Sequence, residues 1–213
     1  MRKIVFYDDT VNRHDIVKKF SIRAQENYGV SSIQQITSYL EANTAYDLVV
    51  ISGHGMEGYQ GVGSGTDAAF QPSTDFQGSH MAQQSLNEFL LLHTNQESNL
   101  KGHEKFTMRQ LWRIGCSMKN GAVLFLAGCS VGAGREGQDL LKKTGLSIQN
   151  NIKVIAATCP IAMKKVGQKI IYTNADQNCQ RLTENDLVGA QGERLLSTDE
   201  LESICDKFEH NVV

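Results

Sequence analysis

Two stretches of sequence decide the fold of this chain: YDLVVISGHG at residues 46–55 and GAVLFLAGCS at residues 121–130. Each contains a strand-forming run, at residues 47–51 and 122–127, that is apolar apart from Asp47 and ends in small residues around one reactive side chain, His54 or Cys129. Runs of this kind are typical of strands buried on both faces of a parallel sheet. Ligands bind beyond the carboxyl ends of such strands, so we expect His54 and Cys129 to lie side by side at that edge.

The rest of the chain alternates apolar runs with amphipathic segments. We predict further strands at residues 3–7, 153–157 and 169–172. We predict helices at residues 12–28, 33–40, 85–93, 107–118, 137–144 and 198–208. This alternation predicts an α/β fold, a single domain over residues 1–213 with a mainly parallel sheet and helices on both faces.

Composition limits the classes of function. The chain has 213 residues, 40% hydrophobic and 21% charged, with a net charge of −2; this is ordinary for a globular protein and gives no indication of nucleic acid or a membrane surface as a partner. No apolar window approaches the roughly 18 residues of a spanning helix, and we expect no secretory signal. The five cysteines lack CxxC spacing, so we expect reduced thiols and neither a metal nor another cofactor.

His54 and Cys129 have the chemistry of a base and a nucleophile. A cysteine thiol with a pKa of about 8.5 is mostly protonated at neutral pH, and a neighbouring imidazole can take its proton. Gly55 and Gly128 flank the pair and would let a substrate carbonyl approach closely. The N–H groups of Gly55 and Cys129 would then hold the oxyanion of a tetrahedral intermediate.

Other interpretations of the same residues stay open. A histidine beside a glycine is usually a polar loop residue, and most free cysteines are small buried side chains. The segment GCSVGAGREG is also rich enough in glycine to hold a phosphate at a helix N-terminus. It matches neither the dinucleotide-binding glycine pattern nor the P-loop pattern.

Taken together, VVISGHG and LFLAGCSVGAG resemble the two signature blocks of the caspase-like cysteine peptidases. That group includes caspases, clostripain-like and gingipain-like peptidases, separase, CHAT proteases and self-cleaving toxin domains. The tail GCSVGAGREGQDLL is most similar to the bacterial toxin-type and CHAT-like members. The resemblance covers roughly residues 3–172, and it implies a three-layer caspase-like core there with residues 173–213 as a C-terminal extension packing on it.

The resemblance implies a cysteine endopeptidase with a His-Cys dyad. His54 would be the base, Cys129 the nucleophile, and the N–H of Gly55 part of the oxyanion hole. In the family's sheet the first strand neighbours the histidine strand, so Asp8 would hydrogen-bond the far ring nitrogen of His54. Asp8 and its neighbour Asp9 could instead cap the next helix or face water.

The family's specificity pocket is built partly from the strand that follows the cysteine strand. The resemblance therefore implies substrate-binding residues in the segment ATCPIAM, which contains neither Asp nor Arg and so favours an apolar or small residue before the cleaved bond. The substrate-binding residues expected there are Ala157, Cys159, Ile161 and Met163.

The expected partner is a protein or peptide substrate, with an activating partner or ligand; we expect no nucleic acid and no membrane span. Lys164 and Lys165 are candidates for binding an acidic activator such as inositol hexakisphosphate, or are only solvated charge.

Residues 61–80 are polar and rich in glycine, which favours a mobile loop that gates the site by self-cleavage or by ordering on a partner. We expect the protein in the cytoplasm, or delivered into a target cell without a cleavable signal peptide.

Two other functions fit the same residues. One is a catalytically silent caspase-like interaction module, although the retention of both His54 and Cys129 argues against it. The other is a Cys-His acyltransferase or deamidase on a different α/β scaffold. Those sites commonly place the cysteine before the histidine in the chain, which is the reverse of the order here.

Overall fold

The structure of the protein is a computed structural model that describes residues 1–8, 27–62, 102–148 and 151–211. The helices of these residues are α1 (Ile33–Ala42), α2 (Gly102–Ser117), α3 (Gly134–Ile148) and α4 (Thr198–Cys205). Short 3₁₀ turns cover Glu184–Asp186 and Asp206–Phe208. The strands are β1 (Lys3–Asp8), β2 (Asn27–Val30), β3 (Tyr46–Ser52), β4 (Gly55–Met56), β5 (Tyr59–Gln60), β6 (Met118–Ala127), β7 (Lys153–Ala157), β8 (Ile161–Val166), β9 (Lys169–Asn174), β10 (Gln180–Arg181), β11 (Leu187–Gln191), β12 (Arg194–Leu195) and β13 (His210–Asn211).

A seven-stranded sheet forms the centre of the molecule, in the order β12-β11-β7-β6-β3-β1-β2. The five strands β7, β6, β3, β1 and β2 are parallel, whereas β11 and β12 run antiparallel to their neighbours. The predicted mainly parallel sheet is therefore confirmed. The chain passes from β1 outward to β2 and then returns to β3 on the other side of β1. The order in which strands are added to the sheet therefore reverses between β1 and β3, and open α/β sheets bind ligands at such a point.

The two faces of the central sheet bury different sets of side chains. Val49 and Ile51 point to one face, which packs on apolar residues of α1, α2 and α3. Leu48 and Val50 point to the other face, which packs on α4 and on a four-stranded sheet of β8, β9, β10 and β13. Alternate side chains of β3 thus enter two cores, which explains why this strand is continuously apolar from Leu48 to Ile51 rather than alternating.

Helix α1 shows how local sequence sets these elements. The side chain of Ser32 accepts a hydrogen bond from the N–H of Gln35 at 3.4 Å and so caps the first turn. Ile33, Ile36 and Leu40 lie on one side of the helix and are completely buried. This spacing of three and four residues places an apolar stripe against the sheet.

Most of the predicted elements are present within the described residues. The predicted strands at 3–7, 47–51, 122–127, 153–157 and 169–172 are confirmed as β1, β3, β6, β7 and β9. The predicted helices at 33–40, 107–118, 137–144 and 198–208 are confirmed as α1, α2, α3 and α4, although Met118 begins β6 and α4 passes into a 3₁₀ turn at Asp206.

One helix prediction is partly wrong, and two others cannot be compared with the structure. The helix predicted at residues 12–28 does not extend over residues 27–28, which form the start of strand β2; this strand pairs with β1 in parallel and buries Val30. The rest of that predicted helix, the predicted helix at 85–93 and residues 63–80 of the predicted loop lie outside the described residues.

The C-terminal quarter of the chain contributes to the central sheet and to the core on the face that packs on α4. Strand β11 adds to the central sheet beside β7, with Leu187 opposite Ala157. Phe208 stacks on Phe125 of β6 with ring centroids 4.2 Å apart. In the part of the chain that the structure describes, no helix is long and apolar enough to cross a membrane.

Candidate active site

His54 and Cys129 follow neighbouring strands at equivalent positions. The last paired residues of β3 and β6 are Ser52 and Ala127, which lie opposite each other in parallel register. His54 and Cys129 each come two residues later. Because neighbouring strands are about 4.8 Å apart, the structure brings the two predicted residues to adjacent positions at the carboxyl edge of the sheet.

The loops that carry His54 and Cys129 are in direct backbone contact. A Cβ atom added to Gly55 would lie 2.7 Å from the Cα of Gly128 and 2.5 Å from the Cγ2 of Val131. Real Cβ atoms do not approach other atoms this closely. Glycine is therefore required on both sides of this contact, as a close approach of two backbones demands.

Backbone hydrogen bonds hold the two loops together. Strands β4 and β5 form a hairpin directly after His54. The N–H of Gly58 at the tip of this hairpin donates to the carbonyl oxygen of Val131 at 3.1 Å, and the N–H of Gly61 donates to the carbonyl oxygen of His54 at 2.7 Å. The second bond makes Gly55 and Gln60 a non-hydrogen-bonded pair, so the N–H of Gly55 points away from Gln60, as a donor to a ligand must.

Gln60 is a residue of this site that the sequence analysis did not identify. Its side chain is completely buried, and its Nε2 donates to the carbonyl oxygen of Gly61 at 2.9 Å. A Cβ atom on Gly128 would lie 2.8 Å from the Oε1 of Gln60, and that oxygen has no hydrogen-bond partner within the described residues. The side chain therefore lies between the His54 hairpin and the turn that carries Cys129, and no local pattern in the sequence indicates this position.

The turn at Cys129 is fixed against the end of β7. The N–H of Ser130, which has a φ of 57°, donates to the carbonyl oxygen of Cys159 at 2.9 Å. The N–H of Gly132 donates to the carbonyl oxygen of Ala157 at 2.9 Å. These bonds turn the chain sharply after β6 and lead it into α3, so the side chain of Cys129 is presented at the end of the strand.

The side chain of Cys129 is half-buried, and its thiol lies 3.7 Å from the carbonyl oxygen of Ile161, to which it can donate. His54 is exposed. Within the described residues no hydrogen bond joins the imidazole to the thiol. Apo sites often hold such groups apart until a substrate is bound.

Asp8 lies at the end of β1, on the side of β3 opposite to β6. Tyr7 is in register with Ser52, so Asp8 comes one position before His54 at the same edge of the sheet. Its side chain is buried, with 2% of its surface exposed. The order of the three strands therefore places His54 between Asp8 and Cys129.

The four residues predicted to bind substrate differ in their positions. Cys159 and Ile161 both contact the Cys129 turn, through the hydrogen bonds given above. Met163 lies farther along β8 and is half-buried against the core on the face of the central sheet that packs on α4. The side chain of Ala157 is completely buried, so only its backbone is available at this edge.

Electrostatics distinguish Cys159 from a reactive cysteine. Burial, together with the negative charges of Asp186 and Asp176, raises the pKa of Cys159 to about 11. Burial is also the main cause that raises the pKa of Cys205 to about 11. Both groups are consequently thiols rather than thiolates at neutral pH, and thiols are poor nucleophiles.

A cavity also lies away from this edge. An open cavity of about 650 Å³ lies at the opposite, amino end of the strands, between Arg2 and Lys119. Asp47 accepts hydrogen bonds from the N–H of Arg2 at 2.6 Å and from the Nζ of Lys119 at 2.9 Å. The charges there are paired with one another, so the shape of this cavity alone does not make it a functional site.

No group of three or more His, Cys, Asp and Glu side chains in the described ranges is arranged to hold a metal ion.

Comparison of the chain with protein-family models, with curated proteins and with solved structures found no match.

Proposed function

We propose that this protein is a cysteine endopeptidase of the caspase-like type, in which His54 and Cys129 hydrolyse a peptide bond. The observation that carries the proposal is the parallel pairing of Ser52 with Ala127, which places the two side chains at equivalent positions two residues farther along. The close contact of Gly55 with Gly128 fixes the two loops relative to each other. A nucleophile and a base held on neighbouring rigid strands have the arrangement that covalent catalysis requires.

In the proposed reaction, Cys129 transfers its proton to His54 and its sulfur attacks the carbonyl carbon of the substrate. The N–H of Gly55, which points away from its hairpin partner, donates to the oxyanion together with the N–H of Cys129. His54 then gives its proton to the leaving amine, which departs from the thioester. A water molecule, deprotonated by His54, hydrolyses the thioester and restores the thiol.

Asp8 is the positioning residue in this proposal. A carboxylate on the far side of an imidazole selects the ring tautomer and stabilises the imidazolium form. The order β1, β3, β6 in the sheet supports this role, because it puts the Asp8 strand and the Cys129 strand on opposite sides of the His54 strand.

The layers of the fold also support the caspase-like assignment. Helices α1, α2 and α3 pack on one face of the parallel sheet, and α4 with a small antiparallel sheet packs on the other. The substrate-binding segment would then run past the Cys129 turn through Cys159 and Ile161, which contact that turn.

A catalytically silent interaction module is the second candidate. The exposed position of His54, without a hydrogen bond to Cys129 among the described residues, favours it. An acyltransferase or deamidase would use the same two side chains, and only the product of the reaction separates it from a peptidase.

A peptide library tests the proposal. The purified chain is incubated with the library and the products are identified by mass spectrometry, with Cys129→Ala and His54→Ala as controls. We expect hydrolysed peptides that share one cleavage preference and are missing with both variants. Transfer products or deamidated peptides would show the other enzymatic classes, and a folded chain that produces none of these would favour the module.

A further inference from the structure

Cys129 and Cys159 lie side by side at the ends of adjacent parallel strands. Leu126 of β6 is opposite Ala156 of β7, and each cysteine comes three residues later in its strand. The hydrogen bond from the N–H of Ser130 to the carbonyl oxygen of Cys159, at 2.9 Å, has the pattern of the parallel ladder and extends this register to the two cysteines.

The geometry of this pair suits a disulfide. Neighbouring strands are about 4.8 Å apart, whereas disulfide-bonded cysteines have their Cα atoms about 4.4–6.8 Å apart. Cys159 is half-buried, and the thiol of Cys129 lies 3.7 Å from the carbonyl oxygen of Ile161, two residues after Cys159, so Cys129 is turned toward the segment that carries its neighbour. Both cysteines are free in the structure.

We propose that Cys129 and Cys159 are an oxidation site, at which a peroxide converts the two thiols into a disulfide that reversibly blocks the active-site sulfur. The inference rests on the proposed function for the effect on catalysis, whereas the formation of the disulfide depends only on the pair itself. Neither the other cysteines nor any residue outside the described ranges is needed.

The chemistry takes two balanced steps. The thiolate of Cys129 attacks one oxygen of the peroxide, which breaks the O–O bond and oxidises the cysteine to a sulfenic acid; the hydroxide or alkoxide that leaves takes up the proton that the thiol had lost and departs as water or an alcohol. The sulfur of Cys159 then attacks the sulfenic sulfur, and the S–O bond breaks with release of water as the disulfide forms. The proton of the Cys159 thiol leaves with that water.

The two cysteines have different roles because their surroundings differ. The pKa of Cys159 is raised to about 11, mainly by burial, so at neutral pH this residue is a thiol and attacks slowly. Cys129 is the residue at the open edge of the sheet, and it is oxidised first. Its sulfenic acid therefore persists long enough to be trapped by a dione reagent, which would prevent the disulfide.

The experiment uses the full chain and reads the disulfide directly by mass spectrometry. The reduced protein is treated with hydrogen peroxide, digested with trypsin without reductant and searched for peptide 120–135 joined to peptide 154–164, which carry Cys129 and Cys159. We expect this linked pair, an intact mass lower by two hydrogen atoms, and reversal of both by dithiothreitol. No linked pair in the folded protein, or a link between other cysteines, would overturn the inference.

Two matched variants assign the roles. Cys159→Ser should leave the sulfenic acid of Cys129 without a partner, so excess peroxide oxidises it further to a sulfinic acid, whose oxygen atoms dithiothreitol does not remove. Cys205→Ser removes a cysteine whose pKa is raised equally, and it should still give the 129–159 link. If Cys159→Ser does not fold, Cys159→Ala takes its place, and peptide mapping of the natural chain decides the outcome alone.

Activity is measured on the same samples, each against its own untreated preparation. Hydrolysis should fall at least tenfold when the linked pair forms, and it should recover with dithiothreitol. A linked pair in a chain without hydrolysis would contradict the proposed function only. Hydrolysis in a chain that forms no linked pair would contradict this inference only.

Discussion

Gly55 and Gly128 pack so closely that a Cβ atom on Gly128 would lie 2.8 Å from the Cα of Gly55. One glycine follows His54 and the other precedes Cys129. The distance between the loops of His54 and Cys129 is therefore set by a contact between two backbones, which cannot relax as a side-chain contact can.

Substitution of one of these glycines should separate the loops of His54 and Cys129. In Gly55→Ala the new methyl group would clash with Val131 and with the backbone of Gly128, and overpacking of this kind costs about 1–3 kcal/mol. A displacement of about 1 Å in a catalytic group can lower the rate by about 100-fold. We expect kcat/KM to fall by more than tenfold, measured with the peptide selected from the library.

Gly192→Ala provides the control for Gly55→Ala. Gly192 follows β11 at the opposite edge of the sheet, its φ is 59°, and a Cβ atom there would meet nothing within 4 Å. The strained backbone should cost about 1–2 kcal/mol without a change in kcat/KM. Equal losses of activity in the two variants would show that the Gly55 contact has no particular role in catalysis.

The carboxylate at the end of β1 should affect turnover more than binding. If Asp8 orients His54, Asp8→Asn removes its charge and presents a donor to the ring, so kcat should fall by about tenfold or more with little change in KM. Steady-state kinetics of Asp8→Asn beside Asp9→Asn test this. An unchanged kcat for Asp8→Asn would leave a site of two residues, and a larger effect of Asp9→Asn would transfer the role to that neighbour.

Gln60 gives a prediction that depends on pH. In Gln60→Glu the introduced carboxyl is buried between two carbonyl-rich loops, so its pKa is raised, and only its protonated form can donate to the carbonyl oxygen of Gly61 as Gln60 does. A raised pKa in the folded state means that stability is lost as the pH rises through that pKa. The urea midpoint of Gln60→Glu should therefore be closer to that of the natural chain at pH 5 than at pH 8.

Gln60→Met is the comparison for this measurement. It removes the hydrogen bond and the unpaired oxygen together, so its difference in midpoint from the natural chain should stay the same between pH 5 and pH 8. A pH-independent deficit for Gln60→Glu would show that its side chain is not held against Gly61 in solution.

The sequence predicts the parts of this molecule that are buried on both sides. The runs at 47–51, 122–127 and 153–157 become β3, β6 and β7, because only a strand covered on both faces is continuously apolar. Strand β2 is not predicted from the sequence, because it is four residues long and fully buries only Val30. Strand β11 was missed because Gly189 and Ala190 carry little apolar signal, although its pairing with β7 buries them.

The candidate site could be predicted only in part, for a related reason. His54 and Cys129 each end a strong apolar run, so their places at the edge of the sheet follow from sequence. Gln60 is far from any such run, and its position depends on the hairpin that folds back over Gly128. A contact between loops of this kind has no periodic pattern.

A charged pair at the start of helix α4 makes a contribution to stability that depends on pH. The guanidinium of Arg194 donates to both carboxylate oxygens of Glu200 at 2.7 and 2.9 Å, which lowers the pKa of Glu200 from 4.5 to about 2. A lowered pKa stabilises the fold above the ordinary pKa, and this contribution is lost as the pH falls through the folded value. Glu200→Gln should therefore lower the urea midpoint at pH 7, and the difference should shrink from about pH 4.5 toward about pH 2.

Glu202→Gln is the matched control for Glu200→Gln, because Glu202 is exposed on the same helix. Both variants remove one negative charge, so a general effect of net charge would appear in both. Equal midpoints for the two variants at pH 7 would contradict a specific contribution from the Arg194–Glu200 pair.

The measurement that tests the central claim most directly is alkylation by a peptidyl acyloxymethyl ketone, a probe that reacts with the catalytic sulfur of cysteine peptidases. The folded natural chain should gain one label, and peptide mapping should place it on Cys129. Cys129→Ala should gain none, and His54→Ala should react about 100-fold more slowly, since proton transfer by a positioned base contributes about this much. A label on another cysteine, equal rates for the natural chain and His54→Ala, or no labelling of a chain that circular dichroism shows to be folded would contradict a His54–Cys129 catalytic pair.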